Sequence, residues 1–188
     1  GGEVSMHYDP MIAKLVTYGA TRDAAIGHMR EALNKFYVRG VSHNISFLAA
    51  LIEHTRFREG RISTNLIAEE YPDGFHPSDL VHDDPGLLIS VAASIHCRYL
   101  WRAAGISGQL PGYERTVDSD WVVVLEGKQH PVHIERIPGG HQVRYGGEIY
   151  KVLSDWQFGQ PLLNGSVNGQ DVCIQVERWN LHYRLFHW

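Results

Sequence analysis

The segment LLISVAASI, residues 87–95, decides the fold, because it is apolar on almost every side of the helix that it predicts. Asp83 or Asp84 can cap this helix, and Pro85 suits its first position, where a missing N–H costs nothing. A surface helix carries a polar stripe, so this segment predicts a helix that is enclosed on most sides. The uncharged run from Gly86 to Cys97 falls short of the ~20 residues that cross a bilayer.

After about Trp121 the sequence changes to the period-two alternation of β-strands. Asn168-Gly169 strongly indicates a two-residue hairpin, because both central positions of a type I′ turn need positive φ. The predicted strands are Trp121–Glu126, His130–Ile137, His141–Tyr145, Glu148–Leu153, Leu162–Val167, Asp171–Arg178 and His182–His187. In the sixth of them, Val172, Ile174 and Val176 face one way, opposite Cys173, Gln175 and Glu177.

Short connections between these strands predict an antiparallel sheet that curls around the preceding helix and hides its edges by closing. The predicted fold class is α+β: a mixed α/β subdomain, then a long helix enclosed by an antiparallel β-barrel of about seven to eight strands. The last strand runs directly into Trp188 and would leave an apolar edge exposed, so we expect at least one more strand in the natural chain.

Residues 1–75 contain the mixed α/β pattern. Val4–His7 and Ile12–Tyr18 are predicted as short extended segments, the second closed by Gly19. A helix capped by Thr21 is predicted to continue towards Gly40. Two shorter helices are expected at about Asn44–His54 and Thr64–Glu70.

The prolines, glycine and aspartates of YPDGFHPSDLVHDD, residues 71–84, mark a boundary between two domains. We predict a first domain at 1–75, a linker at 76–84 and the helix-and-sheet domain at 85–188. The first domain is expected to be only marginally stable alone, because apolar surface that faces a neighbour would be uncovered.

Charge and cysteine content exclude several classes of function. The net charge is −4 and no basic run gathers into a phosphate-tracking stripe, so we expect no nucleic-acid partner. The shortness of the longest uncharged apolar run predicts no membrane partner. Cys97 and Cys173 are too far apart in sequence to suggest a disulfide framework, which favours a reducing compartment. The chain begins with Gly-Gly-Glu, as a fragment of a longer protein would.

No catalytic or metal-binding constellation stands out. His130 and His133 are the closest histidine pair, but i and i+3 on a strand point to opposite faces, so we predict no metal site. Cys97 is expected in the core, and Ser42 and His43 belong to no nucleophile motif. Lys14 is expected at a solvated edge.

Several separated motifs of the first 75 residues resemble the closing subdomain of biotin carboxylase. They are EVSMHYDPMIAKLVTYG (3–19), TRDAAI (21–26), VRGVSHN (38–44), FREG (57–60) and STN (63–65). The predicted helix inside an antiparallel barrel resembles the BT domain, which links biotin carboxylase to carboxyltransferase in propionyl-CoA carboxylase α subunits. The chain is therefore identified as a member of the biotin-dependent acyl-CoA carboxylases.

The resemblance implies a parent ligase that uses ATP, Mg, bicarbonate and biotin to carboxylate an acyl-CoA. The family's catalytic residues lie upstream of its Tyr-Asp-Pro-Met motif and its Ala-Met-Lys-Met biotinyl loop lies downstream, so the fragment is predicted to be inactive and to bind no cofactor. Asp9 matches a family position near a biotin-side arginine, so the resemblance implies that it could be a charge partner of that arginine in the full protein. The alternative is an Asp-Pro turn former, and the two roles are compatible.

The resemblance also implies partners and compartments. The partners would be the carboxyltransferase β subunit and the rest of the α subunit, with its ATP-grasp lobes and biotin carboxyl carrier domain, in a hetero-oligomer. The expected location is the bacterial cytoplasm, or the mitochondrial matrix in a eukaryote.

The segment AGISGQLPGYERTVDSD, residues 104–120, is the longest irregular stretch between the helix and the barrel. Loops of this length are uncommon unless they are functional or disordered. In the family, the segment after the helix forms a hook that contacts the β subunit. We therefore predict that Leu110, Pro111 and Tyr113 anchor a subunit interface; a flexible connector is the alternative.

Two other functions fit the same pattern. A stand-alone protein-binding module with a helix-in-barrel fold would have the same elements. A small-ligand barrel is disfavoured, because the helix would fill its interior.

Overall fold

The computed structural model describes His7, Asp9 and residues 11–76, 84–180 and 182–188. The chain forms two compact units, Gly1–His82 with Phe186–Trp188, and Asp83–Leu185. The helices are α1 Arg22–Lys35, α2 Ile45–Glu53, α3 Thr55–Arg58, α4 Leu66–Glu70 and α5 Pro85–Ala104. The strands are β1 Asp120–Leu125, β2 Lys128–Ile137, β3 Gly140–Tyr145, β4 Glu148–Ser154, β5 Leu162–Val167, β6 Gln170–Trp179 and β7 His182–Phe186.

Helix α5 begins as its sequence predicts. The side chain of Asp84 accepts a hydrogen bond from the N–H of Leu87 at 3.3 Å, and Pro85 takes the first helical position. The next residue, Gly86, has no room for a side chain, because the ring of Tyr150 lies against the helix there. A Cβ at Gly86 would come within 2.1 Å of Tyr150 Oη. Tyr150 Oη also donates to Asp84 Oδ1 at 3.1 Å. The first turn of α5 is thereby fixed against β4.

The seven strands form one sheet in the order β1 to β7, in which each strand pairs with its neighbour in sequence. The sheet curls around α5, and the predicted α+β architecture is confirmed. The described strands form a half-barrel with β1 and β7 at its two edges, rather than the closed barrel that the sequence predicted. One side of the helix, with Val91 and Ile95, packs on a core that includes Val152, Leu163 and Ile174. Another side, with Ile89, Ala93 and Cys97, packs on Val132, Ile134 and Val143.

Buried polar groups on the helix find partners, as their burial requires. Ser90 Oγ donates to the carbonyl of Leu87 at 2.8 Å. Ser94 Oγ is hydrogen-bonded to His141 Nδ1 on β3. The His141 ring also stacks on Trp101, with 4.8 Å between the ring centroids.

Strand β6 is buried on both faces. Val172, Ile174 and Val176 point into the core as the alternation predicts. On the opposite face Cys173 and Gln175 are only 8% and 6% exposed, so this side of the strand is also covered.

In the first unit, α1, α2 and the segments around them enclose a small core of Leu33, Ile45, Ala49 and Ile52. Thr21 caps α1 as predicted, since its Oγ1 accepts from the N–H of Ala24 at 3.2 Å. Trp188 packs against this core, and its backbone N–H donates to Asn34 Oδ1 at 2.7 Å.

Three predictions for this unit were wrong. Residues 12–18 form no strand, because a strand needs a hydrogen-bonded neighbour and no described segment pairs with them. Helix α1 ends at Lys35 rather than near Gly40, and α4 begins at Leu66 rather than Thr64. The short helix α3 was not predicted. The predicted strand residues Val4–Met6 and most of the predicted linker, 77–83, lie outside the described residues.

Candidate subunit-interface site

The connector, residues 105–119, joins the C-terminal end of α5 to β1 and is held in shape by one glutamine. Gln109 Nε2 donates to the carbonyl of Ala104 and, at 2.9 Å, to that of Ile106. Its Oε1 accepts from the N–H of Arg115 at 2.7 Å. The Gln109 side chain therefore links the C-terminal end of α5, at Ala104, to the connector backbone at Ile106 and Arg115.

The loop tip is a tight turn built on Leu110, Pro111, Gly112 and Tyr113. The N–H of Tyr113 donates to the carbonyl of Leu110 at 3.0 Å, and Gly112 has φ of +84°. Proline followed by a residue with positive φ is the composition of a type II turn. Glu114 braces it, because its Oε2 accepts from the N–H of Gly112 at 3.0 Å. Hydrogen bonds from the backbone N–H of Glu114 itself and from that of Gly112 lower the pKa of the Glu114 carboxyl.

This turn presents its apolar side chains to solvent. Leu110 is 72% exposed and Tyr113 is 83% exposed, and Pro111 between them is exposed too. Ile106 at the base of the loop is also largely exposed, and sequence reasoning did not single it out. A braced loop that exposes apolar and aromatic anchors can bury area on a partner with little ordering cost.

The other sequence candidates are placed as follows. Asp9 Oδ1 accepts from the N–H of Met11 at 3.0 Å, the hydrogen bond of an Asp turn. Lys14 is exposed. Ser42 and His43 lie in the irregular stretch before α2, where His43 Nδ1 accepts from the N–H of Ile45 at 3.4 Å.

The histidines of β2 lie on opposite sides of the sheet. His130 Nδ1 is 2.8 Å from the hydroxyl of Tyr145. His133 lies between Asp120 Oδ1 at 2.8 Å and Glu135 Oε1 at 3.3 Å, and these carboxylates raise its pKa. Within the described ranges, no group of three His, Cys, Asp or Glu side chains is arranged to hold a metal ion.

Cys97 is buried against the core, and desolvation raises the pKa of its thiol to about 11. Such a thiol does not supply a thiolate nucleophile. None of the helices in the described part of the chain has the length and apolar character to span a bilayer.

Comparison with known proteins defines the class. Residues 88–188 match the propionyl-coenzyme A carboxylase BT domain, and residues 1–69 match the biotin carboxylase C-terminal domain. The chain belongs to the family of proteins that carry this BT domain, and the resemblance read from the sequence is confirmed.

Particular relatives agree with this assignment. A propionyl-CoA carboxylase alpha chain of Ruegeria pomeroyi is 41% identical over 98% of this chain and 27% of its own length. The mitochondrial alpha chain of the same name in Caenorhabditis elegans is 33% identical over 94% of this chain and 26% of its own. The mitochondrial methylcrotonoyl-CoA carboxylase subunit alpha of Arabidopsis thaliana is 44% identical over 45% of this chain and 11% of its own. The chain thus spans about a quarter of the propionyl-CoA carboxylase relatives.

Proposed function

We propose that this chain is a non-catalytic part of a biotin-dependent acyl-CoA carboxylase α subunit, which supports the biotin carboxylase domain and docks it to the carboxyltransferase β subunit. The parent ligase uses ATP, Mg and bicarbonate to carboxylate biotin and then carboxylates propionyl-CoA or a related acyl-CoA. The relatives named propionyl-CoA carboxylase alpha chain support this parent activity.

The exposed turn at the tip of the connector carries the docking proposal. Leu110 and Tyr113 are the most exposed apolar side chains of the connector, yet the turn beneath them is fixed by hydrogen bonds. Burying them on a partner removes apolar area from water without first ordering a loop. Leu110, Pro111 and Tyr113 are accordingly proposed as interface anchors.

We propose a division of roles between the two domains that the sequence predicts. Residues 1–75 would complete the biotin carboxylase domain, residues 76–84 would link it to the rest, and residues 85–188 would form the docking domain. In the full-length subunit, Asp9 would support the arginine beside biotin. The assembly would be a hetero-oligomer of the bacterial cytoplasm or the mitochondrial matrix, and several relatives are named as mitochondrial.

Alanine substitution of the anchors tests the proposal. In the full-length α subunit, Leu110→Ala with Tyr113→Ala should weaken binding of the β subunit about 30-fold or more, since anchors of this type each contribute ~1 kcal/mol or more. The measurement is the dissociation constant of purified subunits, together with their co-purification.

The matched control is Val124→Ala with Ile149→Ala, which removes exposed apolar atoms from the outer face of the sheet. This control should bind as the wild type does. If the anchor variant also binds normally while the sheet remains folded, the docking proposal fails and a stand-alone module with another partner takes its place.

A further inference from the structure

We infer that Arg136, held against Trp101 at the end of the sheet from which the connector leaves, binds a carboxylate that the docking partner presents beside the connector. The inference rests on the proposed function, because the partner is the β subunit that docks at Leu110 and Tyr113. It adds a second contact and its chemistry: the partner must offer an Asp or Glu side chain next to the surface that receives those two anchors.

Arg136 lies near the end of β2, on the side of the strand that faces α5. It alternates with Val132 and Ile134, which pack in the core beside the helix. Its Cζ lies 5.9 Å from the ring centroid of Trp101, in the last turn of α5. Unlike Val132 and Ile134, Arg136 is exposed, so its guanidinium lies where the inner side of the sheet meets solvent.

The ring of Trp101 is supported from the core of the second unit. It packs against the cluster that contains Ile134, and it stacks on His141 with 4.8 Å between the ring centroids. His141 is in turn hydrogen-bonded to Ser94. Cation–π attraction therefore holds the Arg136 guanidinium against a fixed ring before any partner binds, which lowers the entropy lost on binding.

The N–H donors of Arg136 have no acceptor within the described part of the chain. The ion pairs there use other cations, as in Arg144 with Glu135. Cation–π attraction to Trp101 uses none of the five N–H groups of a guanidinium. These donors form a fork that fits both oxygens of a carboxylate, so an Asp or Glu of the partner can replace the water around them.

The charge around Arg136 is positive. Burial lowers the pKa of Arg98, and the nearby charge of Arg136 lowers it further, while the charge of Asp155 opposes both effects. The donors of Arg98 are already used within the fold, since it donates to the carbonyl of Trp156 at 3.1 Å and to that of Ser154. Two arginines thus outweigh the one carboxylate beside them, and an acidic group of the partner is complementary.

This cation is next to the connector. The N–H of Gly105, the first residue of the connector, donates to the carbonyl of Trp101 at 2.9 Å. Gln109, which precedes the anchor Leu110, donates to the carbonyl of Ala104 at the end of α5. The loop tip is therefore tied back to the turn of helix that carries the Trp101 ring. A protein interface covers about 800 Å² of each partner, so one partner can cover both features.

The test changes Arg136 in the full-length α subunit and measures its dissociation constant with the purified β subunit at low and high ionic strength. Arg136→Gln should raise the dissociation constant roughly tenfold or more at low salt and less at high salt, because salt screens the charge pair. Arg136→Lys keeps the charge but cannot form a bidentate pair. Its affinity should lie between those of the wild type and the glutamine variant, with the salt dependence retained.

Lys128→Gln is the matched control. Lys128 is the first residue of β2 and is exposed, ~26 Å along the strand from Arg136. Its replacement removes the same charge and should leave the dissociation constant unchanged. Melting curves of all variants establish that they are folded. If Arg136→Gln does not fold, Arg136→Lys decides: reduced affinity with retained salt dependence supports the inference, and wild-type affinity overturns it.

A purely structural role of Arg136 would give a different result. If Arg136→Gln acted by loosening Trp101 and the connector, affinity would fall equally at low and high salt, and lysine would not restore any of it. That outcome overturns the inference, and so does wild-type affinity of Arg136→Gln at both ionic strengths.

The anchor variant of the connector separates this inference from the proposed function. Loss of binding on changing Leu110 and Tyr113, with no effect of either Arg136 change, removes the carboxylate contact and leaves the docking function standing. Normal binding by the anchor variant and by both Arg136 variants removes both proposals. A salt-dependent loss on changing Arg136, with normal binding by the anchor variant, supports the carboxylate contact and removes the anchors.

Discussion

At the scale of single residues, His141 makes the second unit sensitive to acid. It is buried on β3, hydrogen-bonded to Ser94 and stacked on Trp101. Desolvation, with the nearby charges of Arg98 and Arg136, lowers its pKa to about 4. The ring is therefore neutral in the folded protein near pH 7.

We predict that the folded state loses stability as the pH falls from about 6.5 towards 4. In that window the unfolded chain binds a proton at His141, at an ordinary pKa of about 6.5, which the folded chain does not bind. The loss should reach about 3 kcal/mol in the free energy of unfolding, measured with urea at a series of pH values. His141→Gln should reduce this pH dependence, whereas His182→Gln, at an exposed position, should not. Equal slopes for wild type and His141→Gln would contradict the assignment.

At the scale of elements, the packing of α5 on β4 depends on the missing side chain of Gly86. Gly86→Ala would place Cβ 2.1 Å from Tyr150 Oη and 2.5 Å from its Cζ, so the ring must move and its hydrogen bond to Asp84 must weaken. We predict a loss of about 1–3 kcal/mol in the free energy of unfolding, from urea titration.

Gly27→Ala is the matched control, because Gly27 is also helical and its Cβ would meet no atom within 4 Å. Alanine is the better helix former, so this change should stabilise the chain by up to about 1 kcal/mol. Tyr150→Phe should relieve part of the Gly86→Ala penalty, and a fully additive double variant would show that the hydroxyl is not the obstacle.

The elements differ in how far the sequence predicts them, and the difference follows from locality. The strands of the second unit were predicted to within a few residues, because period-two alternation and turn residues are local signals. Asn168, with φ of +53°, occupies the hairpin position that Asn168-Gly169 indicates. The prediction of a strand at residues 12–18 was wrong, because a strand depends on a hydrogen-bonded partner that local sequence does not reveal.

The candidate site shows the same limit. The sequence singles out Leu110 and Tyr113, because they are apolar residues in an irregular stretch between two regular elements. It does not reveal the hydrogen bonds of Gln109, because these join residues that only the folded turn brings together. The stacking of Arg178 on Tyr99 and Phe158 joins a strand, a helix and a loop. The period-two pattern also does not predict the burial of Cys173 and Gln175. The pattern indicates which face of a strand a side chain lies on, but not whether another part of the chain covers that face.

At the scale of the whole molecule, the two units have cores of very different size. The buried cluster of the first unit consists of Leu33, Ile45, Ala49 and Ile52. The second unit has two clusters, one on each side of α5, that together draw on β2 to β6. Burial of apolar area is the main stabilising term, so the second unit should account for most of the stability.

Exposed apolar side chains add to the weakness of the first unit. Met11, Ile12, Val16 and Tyr18 line a segment that has no strand partner among the described residues, and each is at least half exposed. Thr17 Oγ1 donates to the carbonyl of Ala25 at 3.1 Å, so the segment is attached to α1 at its end. An attached but uncovered apolar segment is suited to receive a neighbouring part of the full-length subunit.

We predict that amides of α1 and α2 in the isolated chain exchange with solvent far faster than those of β3 and β6. Opening the first unit exposes little buried area, whereas opening the sheet disrupts both clusters around α5. Hydrogen exchange followed by mass spectrometry measures the contrast within one sample, so β3 serves as the internal control. In the full-length α subunit, α1 and α2 should become protected while β3 changes little, because upstream sequence would then cover residues 11–18. Equal protection of α1 and β3 in the isolated chain would contradict the prediction and would mean that the small core of the first unit suffices for its stability.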